Sequence, residues 1–189
     1  MNNDNLTKPP ILRRTVVLVG MMGSGKTAIG RELALQLDVP FVDSDVEIEK
    51  AANATIAEIF AKSGEAFFRD REAEIIARLL TSEPCILSTG GGAYLANRNR
   101  DAISEHGVAV LLDADLDLLW ERVRHKNTRP LLMTDDPQRT LGEIFEARAP
   151  IYAKAELRAE ARPEYSIEDM TENVLAVLAT RPDVLDQTP

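Results

Sequence analysis

Four short, unbroken apolar runs recur along the chain, at residues 15–19, 40–42, 85–88 and 108–112. Runs of this length without polar alternation suit parallel strands covered on both faces. Between them the apolar positions change to helical spacing. Within 27–37, Ile29, Leu33, Ala34 and Leu37 make one face. Thr55-Ile56-Ala57-Glu58 reads as a capping box opening a helix that includes Ile59 and Phe60, and Gly64 ends it. Residues 65–80 carry Phe68, Ile75, Ile76, Leu79 and Leu80 on an inner side, and residues 116–124 form a helix after the fourth strand. Ser166-Ile167-Glu168-Asp169 caps a last helix running through Val174, Leu175, Val177 and Leu178. Strands alternating with helices predict a parallel sheet with right-handed crossovers, in a three-layer α/β/α sandwich. Residues 126–138 break the pattern: they are polar, hold Pro130 and Pro137, and read as a mobile binding loop. Residues 1–12, with Pro9 and Pro10, read as a frayed leader.

The length of 189 residues is that of one domain, and 44 % apolar residues are enough for a proper core. Thirty-one Asp and Glu against 22 Lys and Arg leave a formal charge of −9. That balance argues against nucleic-acid or anionic-membrane binding, which needs a basic footprint. An anionic ligand therefore requires positive charge gathered at one site. A single cysteine, Cys85, excludes an internal disulfide and fits a reducing cytosol. Residues 1–14 lack the apolar core of a secretion signal, and no early apolar run is long enough to span a bilayer. These features predict a soluble cytoplasmic domain.

Gly20-Met21-Met22-Gly23-Ser24-Gly25-Lys26-Thr27 fits the phosphate-loop pattern G-x-x-x-x-G-K-T, between an apolar strand and an amphipathic helix. Glycines let backbone N–H groups curl around phosphate oxygens. The helix N-terminus adds partial positive charge worth about 0.3–1 kcal/mol per anion at exposed sites. Lys26 is placed to reach terminal phosphates and the Thr27 hydroxyl to ligate magnesium. The guanine-reading motif Asn-Lys-x-Asp is absent, which disfavours a GTPase switch.

Three further groups sit where open α/β sheets bind ligands. Asp43 and Asp45 end the second strand; if extended, their carboxylates point the same way and serve metal and acceptor hydroxyl, with helix capping as the alternative use. Ser88-Thr89-Gly90-Gly91-Gly92 follows the third strand, and its glycines permit close backbone approach to a ligand. Residues 108–113 resemble a Walker-B strand, but Asp113, Asp115 and Asp117 read better as caps of the next helix. Arg69, Arg129 and Arg148 stand in distinctive local patterns, and Arg forks bind carboxylates and phosphates bidentately.

Together these residues resemble the shikimate kinase family over about residues 16–152. The likeness rests on Gly20–Thr27 with Gly30-Arg31, on Asp43-Ser44-Asp45, and on Phe60 and Gly64-Glu65-Ala66-Phe67-Phe68-Arg69-Asp70-Arg71-Glu72. It continues in Gly90-Gly91-Gly92, Arg129-Pro130-Leu131-Leu132 and Arg148-Ala149-Pro150-Ile151-Tyr152. The resemblance implies a five-stranded parallel sheet of the nucleoside-monophosphate-kinase type, with a shikimate-binding region at about 43–72 and a mobile lid at about 124–138. The kinase domain would run over 13–180, with a tail at 181–189. It implies transfer of the ATP γ-phosphoryl group to the 3-hydroxyl of shikimate, in aromatic amino-acid synthesis. Carried over position by position, Gly23, Ser24, Gly25, Lys26, Thr27, Ala28 and the lid residue Arg129 would bind ATP. Asp45 would hold the acceptor hydroxyl, with Lys26, Asp45 and Arg129 as catalytic groups. Arg69, Gly91 and Arg148 would bind the rest of shikimate, chiefly its carboxylate. Magnesium would be held by Thr27 directly and by Asp43 through water. Phe60 and Phe68 suit an apolar wall or core packing equally. Residues 157–163, with Arg162 and Pro163, and also Arg124, fall where the family contacts adenine.

Partners expected are ATP and shikimate, with the chain acting as a monomer. Two other readings stay open: a kinase of another small polyhydroxy acid such as gluconate, and a nucleotide-binding module without transfer activity. Cys85, His106 and His125 read as strand packing and helix-end polarity.

Overall fold

The alternation of apolar runs and amphipathic segments folds as a layered sheet in the computed structural model, which describes residues 10–125 and 130–187. A short strand β1 (Ile11–Leu12) leads into β2 (Thr15–Val19) and α1 (Lys26–Leu37). Then come β3 (Phe41–Asp43), α2 (Ser44–Ala52), α3 (Ile56–Leu80), β4 (Ile86–Ser88) and α4 (Asn97–His106). The chain continues through β5 (Gly107–Asp113), α5 (Leu116–Val123), α6 (Pro137–Tyr152), β6 (Leu157–Glu160), α7 (Ile167–Leu178) and β7 (Leu185–Asp186). The main sheet has five strands in the order β3-β4-β2-β5-β6. All four pairings are parallel, with Val16 beside both Ile86 and Val108.

Every residue of β2 is buried, the pattern of a central strand covered on both faces. Helices pair over the sheet as α1 with α7, α3 with α4 and α5 with α6. The core joins β2, β4 and β5 to Leu33, Leu37, Ile76, Leu119, Leu141 and Leu178 from the helices. A satellite cluster of Ile48, Ile59, Phe68 and Ile75 holds α2 against α3. The predicted capping boxes form at Thr55/Glu58 and Ser166/Asp169.

The structure corrects several sequence expectations. Residues 157–160, assigned to a nucleotide-contacting loop, are the fifth strand: Val110 to Asp113 pair with Leu157 to Glu160. The leader ends earlier than residue 12 and the tail starts later than 181, because Ile11 and Leu12 pair antiparallel with Asp186 and Leu185. Leu12, Val184 and Leu185 are core residues. Helices α2, α4 and α6 had no assigned counterpart in the sequence reading. Of the segment 124–138, residues 126–129 lie outside the described residues; beyond them Pro130–Leu132 form a 3-10 turn with Leu132 buried, and Pro137 already opens α6.

Candidate active site

The strand-to-helix turn after β2 is built for anions. Gly23 and Gly25 have φ of 86° and 97°, in the left-handed region that glycine enters at no steric cost. A Cβ on Gly23 would also lie 2.7 Å from Val123 Cγ1, so α5 packs directly on this loop. No side chain caps α1 and no acid occupies its first turn, which leaves its positive end for a ligand. The Lys26 ammonium donates to the carbonyls of Gly20 (2.9 Å) and Met21 (3.0 Å), drawn across the loop it serves. Gly23, Gly25, Lys26, Thr27 and Ala28 line a cavity of about 640 Å³. Ser24 does not: its side chain is fully buried, and its hydroxyl has no hydrogen-bond partner among the described residues.

Asp43 and Asp45 both line this cavity, but not as an extended pair. Asp43 is the last residue of β3 and caps α2, accepting a hydrogen bond from the Asp45 N–H at 3.0 Å. Asp45 thus lies in the first turn of a helix, and the i, i+2 strand geometry expected from sequence does not hold. Its carboxylate lies over the glycine loop, where a Cβ on Gly90 would sit 2.8 Å from Oδ1. That Oδ1 is buried without a hydrogen-bond partner among the described residues. Burial, then the neighbouring charges of Asp43, Glu72 and Glu49, push the Asp45 carboxyl up to about 6, against the pull of Lys26.

Two arginines face the same space from separate helices. Arg69, on the second half of α3, donates to both oxygens of Glu72 at 2.9 and 3.1 Å, and Glu72 is 1 % exposed. Burial alone would lower the Arg69 guanidinium, but Glu72 and Glu65 hold it above its ordinary value, so it is permanently charged. It lies so close to the glycine loop that a Cβ on Gly92 would meet Nη2 at 2.6 Å. Arg98, from α4, donates to the Arg69 carbonyl and to Asp70, bracing this part of α3. Arg148, on α6, approaches Gly91, and Tyr152 one turn later donates to the Gly91 carbonyl.

The cavity therefore gathers Lys26, Asp43, Asp45, Arg69, the three glycines and Arg148, which the sequence brings from five separate regions. Arg129 lies outside the described residues. Its neighbours Pro130 and Leu131 line the cavity rim. The cavity is also lined by Arg122, Tyr165, Ile167 and Met170, none of which the sequence pattern marks as a site residue. Arg122 approaches the Gly23 carbonyl at 3.4 Å, and burial lowers its pKa. The signal for it was its spacing, three residues after Leu119 and beside the buried face of α5. Arg124 instead turns outward to Glu121, and Arg162 lies over the Tyr165 ring at 5.6 Å. Asp115 caps α5 as expected and Asp117 lies in its first turn, whereas Asp113 ends β5 and pairs with Arg158 instead of capping the helix. Phe68 is buried against Phe60 at a 4.7 Å ring separation, and neither lines the cavity. Cys85 is buried beside Thr15, and His106 closes α4.

No cluster of three or more His, Cys, Asp or Glu side chains among the described residues could hold a metal alone. The Thr27 hydroxyl and the Asp43 carboxylate nevertheless share the cavity with the phosphate loop. Such a sparse oxygen set fits magnesium, which keeps its waters and binds with substrate phosphates.

A family model described as shikimate kinase matches residues 22–179. A shikimate kinase of Ruegeria pomeroyi is 63 % identical over 175 residues, covering 93 % of this chain and 90 % of the relative. A solved shikimate kinase from Acinetobacter baumannii in complex with shikimate superposes with a TM-score of 0.81 at 35 % identity, over 89 % of this chain and 94 % of that one. A gluconokinase from Sinorhizobium meliloti 1021 covers 90 % of this chain and 94 % of its own, with a TM-score of 0.61 at 18 % identity, a likeness of fold alone. No helix among the described residues is long and apolar enough to cross a membrane.

Proposed function

The chain belongs to the shikimate kinase family, and from that premise we infer that it transfers the γ-phosphoryl group of ATP to the 3-hydroxyl of shikimate. The products are shikimate 3-phosphate and ADP, in the synthesis of chorismate and the aromatic amino acids. The observation that carries this reading is one cavity holding an anion-binding loop, a carboxylate whose buried oxygen has no hydrogen-bond partner among the described residues, and two arginine forks.

Each group has a chemical task that its surroundings favour. The α1 amides and Lys26 take the ATP phosphates, with the Lys26 ammonium exchanging its loop carbonyls for phosphate oxygens. Thr27 and, through water, Asp43 would hold magnesium, which when bound would supply neutralising charge at the phosphates. Arg129 is assigned to the same phosphates from the family resemblance, within a lid at 124–138. The base end of the nucleotide falls to Arg122, Tyr165 and Ile167, rather than to Arg124, Arg162 or Pro163.

Shikimate is a polyol with one carboxylate, so Arg69 and Arg148 are matched to the acid and the Gly91 backbone to its flank. Asp45 is left for the acceptor hydroxyl. A carboxylate with a pKa of about 6 is ionised at neutral pH yet more basic than an ordinary aspartate, and its free Oδ1 accepts the hydroxyl proton. Loose phosphoryl transfer needs alignment and charge stabilisation more than a strong base, so Asp45 acts first as an orienting group. We take the chain to act as a monomer in the cytoplasm, a reducing compartment that its single cysteine fits.

Calorimetry on Arg148→Ala tests the assignment. Shikimate affinity is expected to fall at least about tenfold, since a charge-assisted fork is lost, while ADP affinity stays within about twofold. Equal loss of both affinities would contradict the placement of Arg148 at the acceptor.

A further inference from the structure

The hydroxyl of Tyr152 has no task in the chemistry above, yet it stands where two acceptor-binding groups meet. Tyr152 lies four residues after Arg148 on α6, so both side chains leave the same helix face. The residue is 2 % exposed, and its hydroxyl donates to the Gly91 carbonyl. A Cβ on Gly91 would lie 3.6 Å from Arg148 Nη1 and 3.7 Å from Tyr152 Oη, so guanidinium and phenol converge on one peptide. The ring stacks on Tyr94 at 6.5 Å and 15°, and Tyr94 begins two residues past Gly92 in the turn that closes the glycine loop. Burial pushes the phenol pKa up and the nearby Arg148 only partly offsets it, so the oxygen keeps its proton and remains a donor.

A run of three glycines has no side chains to fix its peptide planes. In a planar trans peptide the carbonyl and the following N–H point in opposite directions. Anchoring the Gly91 carbonyl therefore fixes the Gly91–Gly92 peptide plane, and with it the ψ of Gly91, which limits how the Gly91 N–H assigned to the acceptor can be set. We propose that Tyr152 is a positioning residue for acceptor recognition: it locks the Gly91 peptide and ties it to Arg148, so that backbone and guanidinium meet the acceptor at one fixed spacing. This rests on the assignment of Gly91 and Arg148 to shikimate.

Steady-state kinetics of wild type and Tyr152→Phe, with both substrates varied, test it. Phenylalanine keeps the ring against Tyr94, so the variant folds, and a thermal melt checks this. The KM for shikimate is expected to rise about tenfold, while the KM for ATP stays within about twofold and kcat falls less than about threefold, the loss of one buried hydrogen bond at the acceptor side. 3-Fluorotyrosine at position 152, which keeps ring and donor, restores the shikimate KM. An unchanged shikimate KM in a folded Tyr152→Phe overturns the role of Tyr152, as does an equal rise in both KM values. If wild type itself does not turn over shikimate, the functional reading fails first, which is a different result from a normal wild type matched by its variant.

Discussion

Asp45 combines a buried, unpartnered oxygen with three acidic neighbours, and its raised pKa has opposite consequences for rate and stability. Below pH 3.8 the carboxyl is protonated whether the chain is folded or not. Between 3.8 and about 6 the folded state keeps a proton that the unfolded state releases, so stability falls as pH rises through that window. Above it the cost is on the order of 2–3 kcal/mol. Asp45→Asn is thus expected to melt about 5 °C above wild type at pH 8, with the gap closing below pH 4. Its kcat/KM should fall at least about 100-fold, and the rise of wild-type kcat/KM with pH through about 6 should vanish. Equal melting temperatures at pH 8, with no inflection in the wild-type profile, would contradict this account. The residue types of the site were legible in the sequence: an Asp pair and a glycine run at strand ends are rare as scaffold, and Arg69 and Arg148, which the structure places on helices, stood out by local pattern and family resemblance. The geometry of the pair was not. Capping by Asp43 turned Asp45 into a helix residue, and nothing in Asp43-Ser44-Asp45 alone reports which of the two backbones wins.

Among the elements, those whose pattern arises from local chemistry were readable: β2 from its unbroken apolar run, α3 and α7 from their capping boxes. Strand β6, Leu-Arg-Ala-Glu, was not, because as an edge strand it buries only Ala159 and carries two charges. Helix α6 was obscured by Pro150 and by having only Leu141 and Tyr152 buried. Gly64 is the case where one residue decides an element. It breaks α3 with φ 80° and ψ 174°, a conformation essentially confined to glycine, and so sets the direction of the second half of α3, which carries Arg69 to the cavity with Glu72 behind it. A Cβ there would meet nothing within 4 Å, so Gly64→Ala carries backbone strain alone. The expected cost is about 1–3 kcal/mol in a urea titration, with a raised shikimate KM as the Arg69 helix shifts. Wild-type stability and KM in that variant would show that the break does not position Arg69.

The whole molecule closes on itself. Strands β1 and β7 pair antiparallel, Arg13 bonds the Val184 carbonyl and pairs with Asp186, and Arg14 reaches the carbonyls at the end of α4. Ile11, Leu12, Leu185 and Asp186 read as leader and tail in the sequence because each strand is only two residues long; their partners lie more than 170 positions away, and no local window contains both. At this scale a chain of net charge −9 still gathers Lys26, Arg69, Arg122 and Arg148 around one cavity, which suits two anionic substrates meeting there. The direct measurement is ADP release by the purified protein with ATP and magnesium, in the presence of shikimate, of gluconate, or of neither. Turnover is expected with shikimate alone. Turnover with gluconate in its place would contradict the reading of Arg69 and Arg148, and ATP binding without turnover on any acceptor would contradict a transferase altogether.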